Sequence, residues 1–415
     1  LSLVQAFDAA RTYDPLYLGA LREYEASQEH RVQGQSALGT EVALTGSVAR
    51  NNLDLKAGAF SRSQDYPSNA VAIQLRRPLF NPELQARSRE GEARSREGEA
   101  ALADRLGDLL VRVVEAYAEV PLAQEQVRTA TALASAYEEQ VRSTARNRTL
   151  GEGTITDELE ARSRLALARA RLVEASNART DALARLRSIV GPIQPEPRAL
   201  TLSFTGLQLI PAESSAWETM ALEKSPKIGA RRYALEAARE ALNGVMDSGK
   251  PKVNLLASVS KADSESINTV NQSTLLRSVG FQLNVPLYDS GRTSSQARQA
   301  AAGVGAAEAA LDGARDAVLA EVRRYHAKLL AEQEKVAAYR EGVETATAQV
   351  RATEQSRRGG LRTTLDVLNA QSQRFTAQQE LTQARFNHLK AWVRLRAVAG
   401  ALTIDDLAEV DRYLQ

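Results

Sequence analysis

Two kinds of hydrophobic pattern take turns along the chain. In four short segments apolar and polar positions alternate with a period of two. Val42, Leu44 and Val48 alternate with Thr45 and Ser47, and Val71, Ile73 and Leu75 with Ala72, Gln74 and Arg76. Val253, Leu255, Ala257 and Val259 form the third segment; Val279, Phe281, Leu283 and Val285 form the fourth, against Ser278, Gly280, Gln282 and Asn284. Successive side chains of a strand point to opposite faces, so these segments predict a sheet with one apolar and one polar face. Polar stretches near 52–69 and near 262–276 split each pair, as the loop of a hairpin does. Elsewhere the apolar positions step by threes and fours: Leu102, Leu106, Leu109, Val113, Tyr117 and Val120, then Leu311, Ala314, Val318, Val322, Tyr325 and Leu329. That spacing predicts the seam of a coiled coil or helical bundle. A helix from about 82 to 147 is roughly 100 Å long, which no single compact domain of this mass contains.

The chain also repeats itself. Gln74-Leu75-Arg76-Arg77-Pro78-Leu79-Phe80-Asn81 reappears as Gln282-Leu283-Asn284-Val285-Pro286-Leu287-Tyr288-Asp289. Thr154-Ile155-Thr156-Asp157 reappears at Thr363-Thr364-Leu365-Asp366, and Arg185-Leu186-Arg187 at Arg394-Leu395-Arg396. Asp14-Pro15 pairs with Ser225-Pro226. These matches keep one order and nearly one offset, which predicts two structural repeats, 1–200 and 201–415. The first holds an opening helix over roughly 1–35, a β-hairpin over 40–78 and a long helical hairpin with its tip near 148–156. The second holds a helix over roughly 213–248, a β-hairpin over 252–286, a helical hairpin with its tip near 357–365 and a C-terminal segment, 401–415. A linker carrying Pro192, Pro195, Pro197 and Pro211 joins them. The tips are marked by Leu150-Gly151-Glu152-Gly153 and Arg358-Gly359-Gly360-Leu361, each followed by Thr and Asp, residues that cap the returning helix. A seven-residue duplication, Ala86-Arg87-Ser88-Arg89-Glu90-Gly91-Glu92 and then Ala93 to Glu99, keeps a heptad in phase without indicating a function.

Composition narrows the classes. Hydrophobic residues make up 43% and charged residues 25%, the balance of a folded chain, while aromatics are only 5%, thin for a compact globule. Lys+Arg 53 against Asp+Glu 51 leaves a net charge of +2, so no nucleic-acid partner is expected. Cys 0 excludes disulfides, thiolate metal sites and a cysteine nucleophile. No apolar run reaches 18 residues, so no transmembrane helix is expected; a β-barrel needs no such run. The chain opens at Leu1 rather than Met, as after removal of a signal peptide or trimming. His30, His326 and His388 stand isolated in helical segments, where packing or surface roles are expected. No phosphate loop and no HExxH site appear. The expectation is therefore no enzyme, no cofactor and no metal. Phe60, Tyr66 and Tyr288 are candidates for an interfacial aromatic belt, with loop or core residence equally open.

Four strands cannot close on themselves, and an open sheet edge in hydrocarbon leaves backbone groups unpaired. If the strands enter a membrane, several copies share one barrel; three copies supply twelve strands around a polar lumen. The helical hairpins of three copies then close a second, helical barrel. With this layout the sequence resembles the TolC family of outer-membrane channel proteins along nearly its whole length. The resemblance is carried by Asp14-Pro15, by the Pro-Leu-aromatic motifs at 78–80 and 286–288, by Asp289-Ser290-Gly291-Arg292, by Gln379 to Asn387, and by Gly400-Ala401-Leu402-Thr403-Ile404-Asp405-Asp406-Leu407. It implies a mainly α chain with membrane β: a homotrimeric 12-stranded β-barrel continued by a 12-helix α-barrel, with an equatorial band from the linker and C-terminus. It implies residence in the bacterial outer membrane, against outer-membrane lipid, extending into the periplasm. Tyr13-Asp14-Pro15-Leu16-Tyr17, Ala20 to Ala26 and Gln33 to Leu38 look like the type I secretion branch. There the partners are a periplasmic adaptor (membrane fusion protein), an inner-membrane ABC transporter and an exported protein, such as an RTX-type toxin or protease. Drug or solvent efflux is the alternative within the family, and a soluble coiled-coil scaffold the alternative outside it.

The resemblance also implies a periplasmic gate. Matched by motif, Arg362 bridges to Thr156 and Asp157, and Asp366 forms a constricting acidic ring. A second acidic position of the family is Asn369 here, and a tyrosine of the lock falls at Arg357. Three copies of Asp366 around an axis make a negative ring that favours cations. Capping of the returning helices is the alternative role of Asp157 and Asp366.

Overall fold

This computed structural model of the chain describes residues 1–58, 60–192, 197–198, 204 and 206–413. Pro195, the 200/201 boundary of the expected repeats and the side chain of Phe60 lie outside what is described. The elements run α1 (Leu3–Tyr13), α2 (Pro15–Ser36), β1 (Glu41–Ala57), β2 (Phe60–Phe80), α3 (Pro82–Thr149) and α4 (Ile155–Val190). The same order then recurs as α5 (Ser214–Lys224), α6 (Pro226–Asp247), β3 (Lys252–Asp263), β4 (Ser273–Asn284), α7 (Arg292–Arg358) and α8 (Thr364–Val398), closed by α9 (Ile404–Asp411). Two compact units are formed: one from 1–22, 101–228 and 313–415, the other from 23–100 and 229–312. Each unit draws segments from both halves of the sequence.

The sequence predicts one opening helix in each half, and the structure has two. Asp14 sits at φ −65°, ψ 117° and Ser225 at φ −61°, ψ 119°. Each precedes a proline, whose ring drives the preceding residue out of the helical region. Asp14 then caps α2, accepting the Tyr17 N–H at 3.0 Å, and its two oxygens take Arg112 of α3 at 3.0 and 2.6 Å. Gly191 (φ +89°) and Gly400 (φ +68°) stop α4 and α8 in the left-handed region. A Cβ on Gly191 would meet the Tyr13 ring at 3.1 Å, and one on Gly400 the Lys224 carbonyl at 2.3 Å. α4 and α8 therefore each end against the break that their own half makes before its proline.

The unit built from 23–100 and 229–312 carries an antiparallel sheet of order β1-β2-β3-β4. Its register aligns Val42, Leu75, Ala257 and Val279 in one row, and Leu44, Ile73, Val259 and Arg277 in the next. One face is thus largely apolar and largely exposed, from Val48 (85%) to Val279 (79%). The other presents Thr45, Gln74, Ser258 and Ser278, with the last two hydroxyls 2.8 Å apart. The outer edges of β1 and β4 have no partner strand among the described residues. A register shift at Pro78/Phe80 coincides with the missing proline N–H.

The expected loop at 52–69 is corrected. β1 and β2 stay paired out to Ala57 and Phe60, and Gly58 (φ +64°) makes the turn. Polar cross-strand bonds replace apolar alternation there: Asn51 donates to Ser68 at 2.8 Å and Asn52 to Asp65 at 2.5 Å. The second loop is likewise shorter than 262–276, spanning 264–272. In the same unit the duplicated heptads line α3 with small residues facing α2. A Cβ on Gly91 would fall 2.3 Å from the His30 carbonyl, and one on Gly98 would fall 1.9 Å from Ser27 Oγ. Ala86 and Ala93 are buried, and Ser95 bonds Gln28 at 2.8 Å. The duplication thus sets the close approach of two helices.

The other unit packs α3, α4 and α8 through Leu133, Tyr137, Leu165, Ala168, Leu368 and Phe375. His388 of α8 is fully buried beneath the linker: the Leu207 N–H donates to its Nε2 at 2.9 Å, and Trp392 Nε1 donates to the Gln208 carbonyl. His326 lies 2.9 Å from the Ala212 carbonyl, and His30 is exposed. All three histidines sit apart, and among the described residues no group of acidic and histidine side chains could hold a metal ion.

Candidate functional site

The two tips of the helical hairpins are built alike. α3 ends with the Gly151 N–H bonded to the Arg148 carbonyl at 3.1 Å and Gly151 at φ +79°. α7 ends with the Gly360 N–H bonded to the Arg357 carbonyl at 3.0 Å and Gly360 at φ +77°. Glycine meets the left-handed requirement at each reversal. Thr154 then caps α4: its hydroxyl accepts the Asp157 N–H at 3.2 Å, and Asp157 accepts the Thr154 N–H at 3.1 Å. Thr363 caps α8 in the same way, with Asp366 accepting the Thr363 N–H at 2.9 Å. Two reciprocal bonds at each start satisfy N–H groups that a helix leaves unpaired.

Both predicted aspartates are therefore capping residues. The Asp366 carboxyl is held below the ordinary aspartate value, first by the Thr363 N–H, then by the Thr363 hydroxyl and the Arg362 charge. It stays ionised at neutral pH, as an acidic ring requires. Arg362 stands 3.8 Å from Asp366, and among the described residues its ion pair is with that residue, not with Asp157. Thr156 is exposed in the first turn of α4. Arg357 is half-buried and its Nε has no hydrogen-bond partner. Leu150 (65% exposed) and Leu361 (83%) project from the two reversals.

Sequence reasoning missed two arginine sets here. Glu158, 2% exposed, is flanked by Arg148 at 2.9 Å and Arg162 at 2.5 Å, which ties the end of α3 to the start of α4. Arg164 of α4 donates from Nη2 to Asn369 Oδ1 of α8 at 2.8 Å and lies 3.5 Å from Glu160. The four-residue spacings Glu158–Arg162 and Glu160–Arg164 were readable in sequence. The reach from Arg164 to Asn369 was not. The groups present are ion-pairing and capping side chains, suited to holding helix ends together or letting them part.

Comparison with known proteins places this geometry. The model of the outer membrane efflux protein family matches residues 14–192 and 217–401. The alkaline protease secretion protein AprF of Pseudomonas aeruginosa is 34% identical over 413 residues, 98% of this chain and 86% of that protein. The proteases secretion protein PrtF of Dickeya chrysanthemi is 29% identical over 426 aligned positions, covering 100% of this chain and 91% of that one. The crystal structure of the outer membrane protein VceC of Vibrio cholerae superposes with a TM-score of 0.82 at 18% identity, covering 96% of each chain. That likeness shows a shared fold.

Proposed function

The chain belongs to the outer membrane efflux protein family and is an outer-membrane channel, and on that premise we propose that it is the exit duct of a type I protein-secretion machine. The observation that carries the reading is the 34% identity, over 98% of this chain, to a protein named for alkaline protease secretion. In this reading three copies join the free edges of β1 and β4 into one twelve-stranded barrel. The apolar faces then meet lipid and the Thr45–Ser258–Ser278 faces line the lumen. The repeats 1–200 and 201–415 each contribute one β-hairpin and one helical hairpin. A periplasmic adaptor docks at the tips, where Leu150 and Leu361 are exposed, and an inner-membrane ABC transporter delivers the exported protein.

The tips act as the gate. Three Asp366 carboxylates narrow the opening, and Arg362 moves between Asp366 and the Thr156–Asp157 turn as the tips rearrange. An exposed ion pair contributes only about 0–1 kcal/mol, so adaptor docking is sufficient to exchange it. Arg362→Ala and Asp157→Ala are expected to leave assembly intact and raise conductance in a planar bilayer; unchanged conductance in both removes these residues from the gate. Small-molecule efflux is the second reading, favoured by the family's own description. Deleting the gene separates the two: loss of a secreted protein from the medium with unaltered drug susceptibility supports secretion, and the converse supports efflux.

A further inference from the structure

We propose that Lys261 and Arg277 form a site on the outside of the sheet for the phosphate of an outer-leaflet glycolipid. The proposal rests on the reading above, in which the apolar face of the sheet meets lipid. Strand alternation places both residues on that face. Arg277 stands in the row of Leu44, Ile73 and Val259, and Lys261 in the next row, with Gly46, Val71 and Leu275. Along β4, Arg277 interrupts an apolar series between Leu275 and Val279, both well exposed. Lys261 pairs with Leu275 and Val259 with Arg277, so the two cations are diagonal neighbours. Such positions lie about 7–8 Å apart, within reach of two long side chains sharing one anion. Both residues are exposed, and among the described residues neither has an ion-pair partner. In the rows that all four strands share, the one acidic residue on this face is Asp263, so the patch keeps a net positive charge.

Depth decides which anion reaches them. β3 and β4 join α6 and α7 at the Lys252 and Asn284 end, so the turn at 264–272 is the end away from the periplasm. From Leu283 to Ser273 the strand rises about 34 Å, or about 26 Å across the bilayer at a tilt of about 40°, the height of an apolar band. Ser273 then marks the outer rim and Val279 falls near the middle. Arg277 lies about 10 Å below the rim and Lys261 about 5 Å below it. A cation on a lipid face is costly near the midplane and tolerated near the rim. Long basic side chains lay their stems on apolar surface and carry the charge outward, so both charges arrive at one level, where headgroups begin. A phosphate anchored there by its own acyl chains meets an arginine fork and a lysine point charge without leaving its leaflet. A free anion would have to shed water beside hydrocarbon, which is unfavourable. At the opposite end Arg77, in the row of Leu255 and Phe281, has no second cation beside it on this face and serves as the comparison.

Native mass spectrometry of the full-length, detergent-solubilised protein tests the site. The probes are a bisphosphorylated glycolipid, the same glycolipid stripped of phosphate, and inorganic phosphate. A basic residue beside an anionic headgroup contributes about fivefold in affinity. Lys261→Gln and Arg277→Gln are each expected to weaken the phosphorylated glycolipid about fivefold, and the two together about 25-fold. Exchanging the pair, Lys261→Arg with Arg277→Lys, keeps both charges and should retain most of the affinity. The phosphate-free glycolipid should bind weakly and equally to wild type and the double variant, and Arg77→Gln should leave the phosphorylated one unchanged. The single variants decide if the double variant does not assemble. Equal binding of the phosphorylated glycolipid by wild type and these variants overturns the proposal. So does equal binding of both glycolipids by wild type, or displacement of the lipid by millimolar inorganic phosphate. Either result with protein that leaves the outer membrane only in detergent keeps the channel reading standing; a chain that stays in water without detergent overturns that reading as well.

Discussion

Asp14 is the residue whose loss the fold should feel most sharply for its size. It is 3% exposed, caps α2 through the Tyr17 N–H at 3.0 Å, and holds Arg112 of α3 through both oxygens. Asp14→Ala removes the cap, at about 1 kcal/mol. It also breaks a two-pronged ion pair. Breaking a fully buried pair costs about 3–5 kcal/mol, but the Arg112 side chain is 31% exposed and regains water, which brings that loss to about 2 kcal/mol. The expected total is about 3 kcal/mol, an increase of about 150-fold in local opening. Hydrogen exchange read by mass spectrometry on the segments holding Tyr17 and Arg112 measures it directly. Asp14→Asn keeps the cap and loses the charge, so its effect should be smaller. Burial pushes the Asp14 carboxyl up, but the Arg112 hydrogen bonds, the Tyr17 N–H and the Arg112 charge outweigh it and hold the group below its ordinary value. The unfolded chain therefore binds this proton more readily. The contribution is complete above about pH 4 and is lost as pH falls through the folded value. If Asp14→Ala exchanges within threefold of wild type at pH 7, the Asp14–Arg112 pair is not what holds the start of α2 to α3.

Three further expectations follow from particular contacts. Gly400→Ala would place a Cβ 2.3 Å from the Lys224 carbonyl at a left-handed position and should cost about 2–4 kcal/mol in thermal unfolding, whereas Gly107→Ala, inside α3 with nothing within 4 Å, should be neutral or stabilising by about 0.5–1 kcal/mol. Burial pushes His388 below its ordinary value, so the folded chain keeps it neutral while the unfolded chain takes up a proton below about pH 6.5; stability should fall as pH drops from there, and His388→Gln should flatten that slope in melts between pH 7 and pH 5. Val279→Arg, on the apolar face, should cost about 2–4 kcal/mol near the bilayer midplane and reduce recovery in the outer-membrane fraction, while Ser278→Arg on the opposite face should be recovered as wild type.

What the sequence revealed follows from where burial leaves a period. The strands were readable over 42–48 and 71–76 because one face there is apolar and the other is not. Beyond Val48 polar residues such as Asn51, Asn52, Gln64 and Asp65 interrupt the apolar alternation, and paired strands look like a loop. The prolines at 15 and 226 were visible, but not that each breaks a helix in two; Pro121 inside α3 shows that proline alone does not decide. Val120 and Leu122, on either side of it, are buried, and α3 runs through the proline unbroken. At the tips, the Thr–Asp spacing gave both capping boxes, since a cap is a local device. Arg164 and Asn369 lie 205 residues apart, and no local rule joins them. The duplicated heptads had no meaning until α2 was seen against Gly91 and Gly98.

The mass of the detergent-solubilised protein, measured by sedimentation equilibrium with the bound detergent matched out, bears most directly on a barrel shared between copies. A species of about 135 kDa, three times the 45.0 kDa chain, is the predicted result. A stable 45.0 kDa particle that stays in solution without detergent would contradict it.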